Sequence, residues 1–504
     1  MRLTGRQWSW VLLGCVIGLY AIAVAPIYFV WSFTPDEAWF YSDAIALAKQ
    51  AAGHGLISQH PHLGYGAFFW WFYASLVDAM PALSALWTAR TIVYLLTVSI
   101  PVALWVGGAN RPMNAWLAVL LWISMPAAWW IGKLNSPEIP SLALFVWAAV
   151  LVARGGRYFP FGWLLFGMAA GLKLTALGAL PIVTGLSLAA LKSGKPADWL
   201  RHGLVAGLAA LAGYLVMNPL AMLGPVDFWR ELLAAGSPTD FSASALKRVL
   251  WDESWTWDAL PAGGIFAQGM YFPSFCLAGL AIAIAAVRGR DSRYLLAAFV
   301  LTIALAAPIY FREKFLLWYA FPPLLGVAFL AGRVETARPA TLLLASAFCL
   351  QFVAGVPLIA RSYQLKLWHA ADLREITTTS NFVASQLERW GDVRLAIDLS
   401  EVGTGLLPPD QMKIPARGIR YLREFDASRV ISSGLAKLGP TEGTLVIVIG
   451  NRLASIVPGY DLSAKLRDPD WRGRYVLLEE IQSKNLRLYR FRYQPGARAG
   501  APAA

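Results

Sequence analysis

Long apolar runs alternate with short polar segments up to about residue 360 of the chain. The first run, Trp8–Phe33, contains no charged residue. Since roughly 20 apolar residues suffice for a helix to cross a bilayer, the pattern predicts an α-helical polytopic membrane protein with about eleven transmembrane helices. The predicted spans are Trp8–Phe33, Pro81–Val106, Ala115–Ile131, Ile139–Val152, two short helices within Phe161–Leu191, Leu204–Leu223, Pro273–Val287, Tyr294–Tyr310, Phe315–Ala331 and Ala340–Ile359.

The run Phe161–Leu191 has a lysine, Lys173, near its centre and permits two interpretations. A single span places the basic residues that follow it, Lys192 and Lys195, on the outside. Two short helices that turn near Lys173 place them in the cytoplasm, where the short loops of membrane proteins concentrate Lys and Arg. Glycines in the run favour a turn and close helix packing, and we predict the hairpin.

The pattern changes at Arg361, where the apolar runs shorten to the length of β-strands. These runs follow a helix-like stretch, Asp372–Trp390, and together they predict a small soluble α/β domain. The predicted strands are Val393–Leu399, Thr444–Ile449, Tyr475–Ile481 and Leu486–Tyr493. The predicted domains are a transmembrane domain at 1–360, a soluble α/β domain at 361–494 and a disordered Gly/Ala/Pro-rich tail at 495–504.

Composition agrees with a membrane protein and argues against nucleic acid as a partner. Of the 504 residues, 57% are hydrophobic and 14% are charged, whereas soluble domains carry roughly 25% charged residues. Many of the basic residues behind the net charge of +13 lie in short loops, a distribution that orients spans. It predicts a cytoplasmic N-terminus and an extracytoplasmic C-terminal domain. The three cysteines lie in apolar runs without disulfide or metal-binding spacing.

Asp36 and Glu37 are the first acidic residues, and they follow the first span directly. The N-terminal run also has features of a signal peptide, but its length favours an uncleaved span, and Asp36 is external in both cases. Thr34 and Pro35 allow a structural interpretation, in which the acids lie in the first turn of a capped helix. In the functional interpretation, Asp36 takes a proton from an acceptor hydroxyl or helps to hold a metal beside a phosphate.

Glu138 is the only acidic residue between Asp78 and Asp198, and it precedes a predicted span. A lone carboxylate at the mouth of a span is a candidate site residue. Ser136 and Pro137 support the alternative that Glu138 lies in the first turn of a capped helix and has no chemical role.

Three basic residues on the predicted external side are candidates for binding a phosphate. Lys173 lies in an apolar run, where burying its charge in lipid costs roughly 2.5–3.5 kcal/mol. It binds a phosphate or, alternatively, extends to lipid headgroups. Arg312 and Lys314 lie in a short external loop, against the usual charge bias. An anion is therefore expected near them, and Glu313 and lipid headgroups are the alternatives to a phosphate.

A cluster of histidines follows in the first external segment. His54, His60 and His62 are close enough in sequence to bind a metal together, but their spacing fits no specific metal motif, so hydrogen bonds to a polar substrate are the preferred interpretation. The chain contains no Walker, Rossmann or nucleophile-elbow motif. An external site also has no access to cytoplasmic nucleotide sugars, so an activated group would have to arrive on a lipid carrier.

These segments resemble the GT-C superfamily of membrane glycosyltransferases, and within it the bacterial branch related to protein O-mannosyltransferases and lipid A aminoarabinose transferases. The resemblance covers roughly Met1 to Ile359, and the Asp-Glu pair in the first external loop is its shared mark. His60-Pro61-His62 departs from the His-Pro-Pro of many relatives. The matching segments are Pro35–Phe40, Gly64–Trp70, Ser136–Pro140, Gly171–Thr175 and Lys314–Pro323.

The resemblance implies a hexosyl- or pentosyltransferase of the bacterial inner membrane. It would move a sugar, with inversion, from a polyprenyl-phosphate donor to a hydroxyl of a lipid, glycan or protein acceptor in the cell envelope. Some relatives use a divalent metal such as Mg²⁺ or Mn²⁺, and others do not. The implied residues are Asp36, Glu37 and Glu138 for catalysis, Lys173, Arg312 and Lys314 for the donor phosphate, His60, His62 and Tyr65 for contacts with acceptor or donor, and Asp36 and Glu138 for any metal.

Two other functions compete with this interpretation. A lipid or solute transporter, or a flippase, places polar groups in the middle of the membrane, often on broken helices from paired repeats. Here the acids cluster at the predicted mouths of spans, and no internal repeat is visible. A membrane-anchored scaffold is the second alternative, but it does not require the unusual positions of Glu138 and Lys173.

Overall fold

A computed structural model gives the helices of the chain and one β-sheet. It describes residues 5–29, 71–72, 75–76, 79–80, 82–130, 137–191, 196–223, 226, 269–288, 290–310, 321–334, 338–390, 394–397, 430–432, 443–450, 473–482 and 486–494. Contacts divide the chain into two compact units, Met1–Phe29 with Ala51–Leu365 and Val30–Gln50 with Lys366–Ala504. The predicted domain boundaries at 360 and 494 stay a prediction.

The first unit is helical, and its buried apolar side chains, such as Trp122, Phe145 and Phe329, form a continuous core. Two 3₁₀ segments, Gly156–Tyr158 and Leu174–Ala179, join helices within it. The α-helices are α1 (Gly5–Phe29), α2 (Ala82–Gly108), α3 (Pro112–Ile123), α4 (Pro126–Trp130), α5 (Glu138–Arg154), α6 (Phe159–Leu172), α7 (Leu180–Ala190), α8 (Pro196–Met217), α9 (Leu220–Leu223), α10 (Phe272–Arg288), α11 (Arg290–Tyr310), α12 (Phe321–Arg333) and α13 (Arg338–Trp390).

Several described helices are long and apolar enough to cross a membrane. They comprise four segments, Gln7–Pro26, Thr88–Gly108, Pro196–Met217 and Arg338–Ala360. Shorter apolar helices accompany them at Pro112–Ile123, Leu174–Ala190, Phe272–Val287 and Arg293–Ala304. Helices α1, α2, α5, α10 and α11 lie at predicted spans, so the prediction of a helical membrane protein is confirmed. The total of about eleven spans stays a prediction.

The span predicted at Ala115–Ile131 is not one helix. α3 ends before this stretch is complete, and the short helix α4 begins at Pro126. Proline has no N–H for the helical ladder and disfavours α conformation in the residue before it, which accounts for the break. The freed carbonyl of Ser124 lies 3.4 Å from the Nε2 donor of Gln351, a buried side chain of α13.

The span predicted at Leu204–Leu223 begins and ends later in the chain than the observed helix, α8. α8 begins at Pro196 and carries Asp198 in its first turn. Proline at the start and an acid in the first turn are typical of a helix N-terminus, a signal that the hydropathy pattern alone does not weigh. The helix ends before Pro219, which cannot continue it.

The last predicted span, Ala340–Ile359, is the first part of a much longer helix. α13 continues without interruption to Trp390 and contains Pro357. The apolar part of this helix, Arg338–Ala360, is long and apolar enough to cross a membrane and agrees with the predicted span. The sequence prediction did not join this span to the helix-like stretch Asp372–Trp390, because it took the change to polar residues as a break, although polar residues such as Lys, Glu and Gln are themselves good helix formers.

The predicted hairpin at Lys173 is confirmed. α6 ends at Leu172, Lys173 adopts an extended conformation, and a 3₁₀ segment leads into α7. Trp163, in the first half of α6, donates a hydrogen bond of 3.1 Å from Nε1 to the Oγ of Ser187, near the end of α7. This contact requires the chain to reverse between the two helices.

α6 and α8 pack backbone against backbone at two glycines. A Cβ on Gly167 would overlap the carbonyl of Ala210, and a Cβ on Gly213 would overlap the carbonyl of Leu164. Small residues at such crossings let helices approach closely within a membrane. The two glycines therefore fix the distance between α6, which ends at Lys173, and its neighbour α8.

Replacing Gly167 by alanine is expected to lower the stability of the protein by about 1–3 kcal/mol, since the new methyl group has to displace backbone atoms. Gly207→Ala is the matched control in α8, because no atom lies within 4 Å of the position of its Cβ. Thermal unfolding of the purified protein in detergent measures both. An equal melting temperature for the two variants would contradict the close packing at Gly167.

The second unit contains a five-stranded sheet. Its strands are β1 (Arg394–Ile397), β2 (Val430–Ser432), β3 (Thr444–Gly450), β4 (Tyr475–Gln482) and β5 (Leu486–Tyr493), in the order β2-β1-β3-β5-β4. β1 is parallel to β2 and β3, whereas β5 is antiparallel to β3 and β4. The four predicted strands are present, and β2 was missed because three residues give too little pattern.

Candidate functional site

Glu138 is the first residue of α5 and lies in the first unit. Pro137 precedes it with φ −68° and ψ −9°, and no side chain caps the helix among the described residues. The free N–H groups at a helix N-terminus carry a partial positive charge that favours an anion. The position of Glu138 therefore places an acidic side chain where the start of α5 favours negative charge.

Lys173 lies at the break between α6 and the 3₁₀ segment that follows it. Its φ of −151° and ψ of 119° are those of an extended residue. An extended residue directs its side chain differently from a helical one. The break thus turns Lys173 away from the direction that a continuous α6 would impose.

The ammonium group of Lys173 forms a salt bridge with Oε1 of Glu138. Only 5% of the Lys173 side chain and 7% of the Glu138 side chain are exposed, so the pair is buried. Two sequence-predicted site residues, which are separated along the chain, are therefore in direct contact. Within the described part of the chain, the second carboxylate oxygen of Glu138, Oε2, has no hydrogen-bond partner.

Two buried side chains bind the last turn of α6, immediately before Lys173. Ser141 of α5 donates to the carbonyl of Ala169 at 2.8 Å. Asn218, which follows α8, donates from Nδ2 to the carbonyl of Gly171 at 2.7 Å. The sequence prediction did not select either residue, since a single Ser or Asn beside an apolar run carries no distinctive signal.

Arg90 is a buried cation that the sequence prediction also missed. It lies in α2 with 3% exposure and donates from Nη1 to the carbonyl of Tyr28 at 3.1 Å. Tyr28 belongs to the last turn of α1, where carbonyls lack helical partners and attract cations. Arg90 could have been selected from the sequence because it is a lone charge inside an apolar run. Lys173 was selected for the same reason.

The other predicted site residues lie outside the described part of the chain. This applies to the predicted catalytic, phosphate-binding and substrate-contacting residues other than Glu138 and Lys173. Their places in the site stay predictions. They are Asp36, Glu37, His60, His62, Tyr65, Arg312 and Lys314.

The described residues near Glu138 and Lys173 provide too few ligands for a divalent metal ion. The described residues contain no group of three or more His, Cys, Asp or Glu side chains that could hold an ion. Glu138 offers one carboxylate, but the ammonium of Lys173 already occupies Oε1 and repels a divalent cation. The described residues alone do not fit a metal ion, and the expectation that Asp36 and Glu138 share one stays a prediction.

An acid and a base held together in a buried site can bind a phosphate-containing group. The ammonium attracts phosphate oxygens, and the neighbouring carboxylate can accept a hydrogen bond from a hydroxyl or an amine. Low dielectric surroundings strengthen both interactions. The arrangement fits a charged ligand better than a purely apolar one.

Comparison with known proteins identifies the fold. The sequence matches no protein-family profile and no curated protein. The crystal structure of ArnT from Cupriavidus metallidurans in the apo state matches with a TM-score of 0.51 and 13% identity, over 98% of this chain and 99% of that chain. The crystal structure of the same protein bound to undecaprenyl phosphate matches with a TM-score of 0.49 and 13% identity, over 99% and 100% of the two chains.

ArnT is a GT-C lipid A aminoarabinose transferase. At 13% identity the likeness to the apo structure is a likeness of fold. It shows that the chain shares the fold of ArnT, in agreement with the helical membrane fold expected from the sequence.

Proposed function

We propose that this chain, which shares its fold with ArnT, is an integral membrane glycosyltransferase. Its donor is a sugar linked to polyprenyl phosphate, and its acceptor is a hydroxyl group in the cell envelope. The protein lies in the bacterial inner membrane with its N-terminus in the cytoplasm, and transfer takes place on the external face with inversion. The observation that carries the proposal is the buried contact between Lys173 and Glu138 within this fold.

The donor is assigned from the charge of the site. Lys173 presents an ammonium in buried surroundings, where a phosphate group satisfies it far better than a neutral headgroup. ArnT has been crystallised with undecaprenyl phosphate bound, so a protein of this fold accommodates such a lipid. Arg312 and Lys314 are the further cations proposed to hold the phosphate.

The proposed reaction is a single displacement at the anomeric carbon. The bond between this carbon and the phosphate oxygen breaks, and its electron pair stays with the phosphate, whose growing negative charge Lys173 and Arg312 stabilise. The acceptor oxygen forms the new bond from the opposite face of the sugar, and Asp36 takes its proton. Glu138 orients Lys173 and, through Oε2, accepts a hydrogen bond from a bound hydroxyl or amine.

A transporter or flippase is the competing function, and the fold does not favour it. Glu138 lies at a helix start and Lys173 at a helix break, and both positions are also compatible with a transporter. The two functions therefore have to be distinguished by the reaction that the protein carries out. A transporter moves the intact lipid-linked sugar, whereas a transferase separates the sugar from its phosphate.

The protein reconstituted in vesicles should convert one member of a panel of radiolabelled polyprenyl-phosphate sugars to free polyprenyl phosphate when envelope lipids are supplied as acceptors. Lys173→Met should weaken donor binding. Vesicles that contain the Gly207→Ala variant serve as the control and should stay active. Movement of intact donor between the leaflets without cleavage would instead establish a transporter. Failure of every donor to bind or react would refute the proposed function.

A further inference from the structure

We propose that Asn218 is a positioning residue, which fixes the direction of Lys173 by ending α6 at the correct residue. This inference rests on the proposed role of Lys173 in holding the donor phosphate. It adds a residue that directly follows α8, and its part in the site follows only from its contact with a backbone carbonyl.

The argument begins with the last turn of α6. Carbonyl groups at the end of a helix have no helical N–H partner and need another donor when they are buried. The side-chain amide of Asn218 supplies that donor to the carbonyl of Gly171 at 2.7 Å. Asn218 is 1% exposed, so water does not offer an easy replacement.

The alternative partner of the Gly171 carbonyl is the N–H of Thr175, which is four residues further along the chain. That hydrogen bond would continue α6 through Lys173. The lysine would then become helical and lose the extended conformation from which it contacts Glu138. By occupying the carbonyl, Asn218 favours the broken helix over the continuous one.

The local packing is built for this contact. A Cβ on Gly171 would lie 2.8 Å from the Cβ of Met217 and 3.2 Å from Nδ2 of Asn218, both closer than normal. Glycine at this position therefore lets the end of α8 approach α6. The backbone of Asn218 is held in place, since its N–H donates a hydrogen bond of 2.9 Å to the carbonyl of Tyr214, and α8 ends just before it, at Met217.

Ser141 of α5 gives a second restraint on the last turn of α6. It donates to the carbonyl of Ala169 at 2.8 Å, and that carbonyl also accepts the N–H of Lys173 at 3.0 Å. Ser141 and Glu138 are three residues apart on α5 and so share a face of the helix. The first turn of α5 thus contacts both the lysine and the turn that presents it.

The test measures binding of undecaprenyl phosphate to the purified full-length protein, with undecaprenol as the probe that lacks a phosphate. Asn218→Leu keeps the approximate volume but removes the donor, and it should weaken undecaprenyl phosphate binding about tenfold or more. Ser187→Ala is the matched control, because it removes a buried hydrogen bond to the other end of α6, from Trp163, and should leave binding unchanged.

The double variant Asn218→Leu/Lys173→Met separates positioning from general destabilisation. If Asn218 acts through Lys173, the second change adds nothing to the loss of binding caused by Lys173→Met alone. Additive losses, or unchanged binding in Asn218→Leu, would overturn the inference while the proposed function stands. Absence of phosphate-dependent binding in the unmodified protein would overturn both.

Discussion

Replacing Lys173 by methionine is expected to destabilise the protein by about 3–5 kcal/mol, since removal of one member of a buried ion pair leaves the other charge without compensation. The pair concerned is the salt bridge to Glu138, in which both side chains are at least nine-tenths buried. Methionine preserves most of the apolar stem of lysine, so the loss of stability measures the effect of removing the charge and not a change of side-chain volume. Thermal unfolding in detergent measures it.

The double variant Lys173→Met/Glu138→Gln removes both charges and should recover much of the lost stability, because neutral groups are far less costly to bury. It should nevertheless bind undecaprenyl phosphate no better than Lys173→Met. Recovery of stability without recovery of binding distinguishes the structural contribution of the pair from its proposed function. Equal stability of the single and double variants would contradict the buried contact.

Asp36→Asn is expected to lower the rate of sugar transfer by about 10²- to 10⁴-fold, the usual contribution of general base catalysis. Asparagine has nearly the same size but cannot take the proton of the acceptor hydroxyl. Because this residue is proposed to act on the acceptor, binding of undecaprenyl phosphate should change little. The measurement is the initial rate of transfer at saturating donor, together with donor affinity.

Asp43→Asn serves as the control for this variant, since it removes another acid that has no proposed role from the same predicted external segment. It should retain the rate of the unmodified protein. A normal rate in Asp36→Asn would refute the assignment of the base, whereas an equal loss in both variants would indicate a general effect of charge in this segment.

The helices of the first unit were predictable because apolar runs of this length have few alternatives in a protein. Their ends were less predictable, as Pro126 and the first turn of α8 illustrate, since local hydrogen bonding decides them and hydropathy does not. The continuation of α13 to Trp390 shows the same limit, because a helix can pass through a change of composition.

The site was predictable to the extent that charge is unusual in an apolar environment. Glu138 and Lys173 were both selected for this reason, although their contact depends on the reversal of the chain after α6 and on the packing of α5 against it. Arg90 had the same signal and was overlooked. Asn218 had no signal in the sequence, because its importance arises from the carbonyl that it meets in the folded protein.

The glycine contacts between α6 and α8 constrain how a ligand can be accommodated. Sliding motions between packed helices depend on a layer of side chains that can change rotamers, and at Gly167 and Gly213 no such layer separates the two backbones. We therefore expect α6 and α8 to keep their relative positions when the proposed lipid donor binds. Adjustment to the phosphate of that donor would then fall to the Lys173 side chain and to the start of α5.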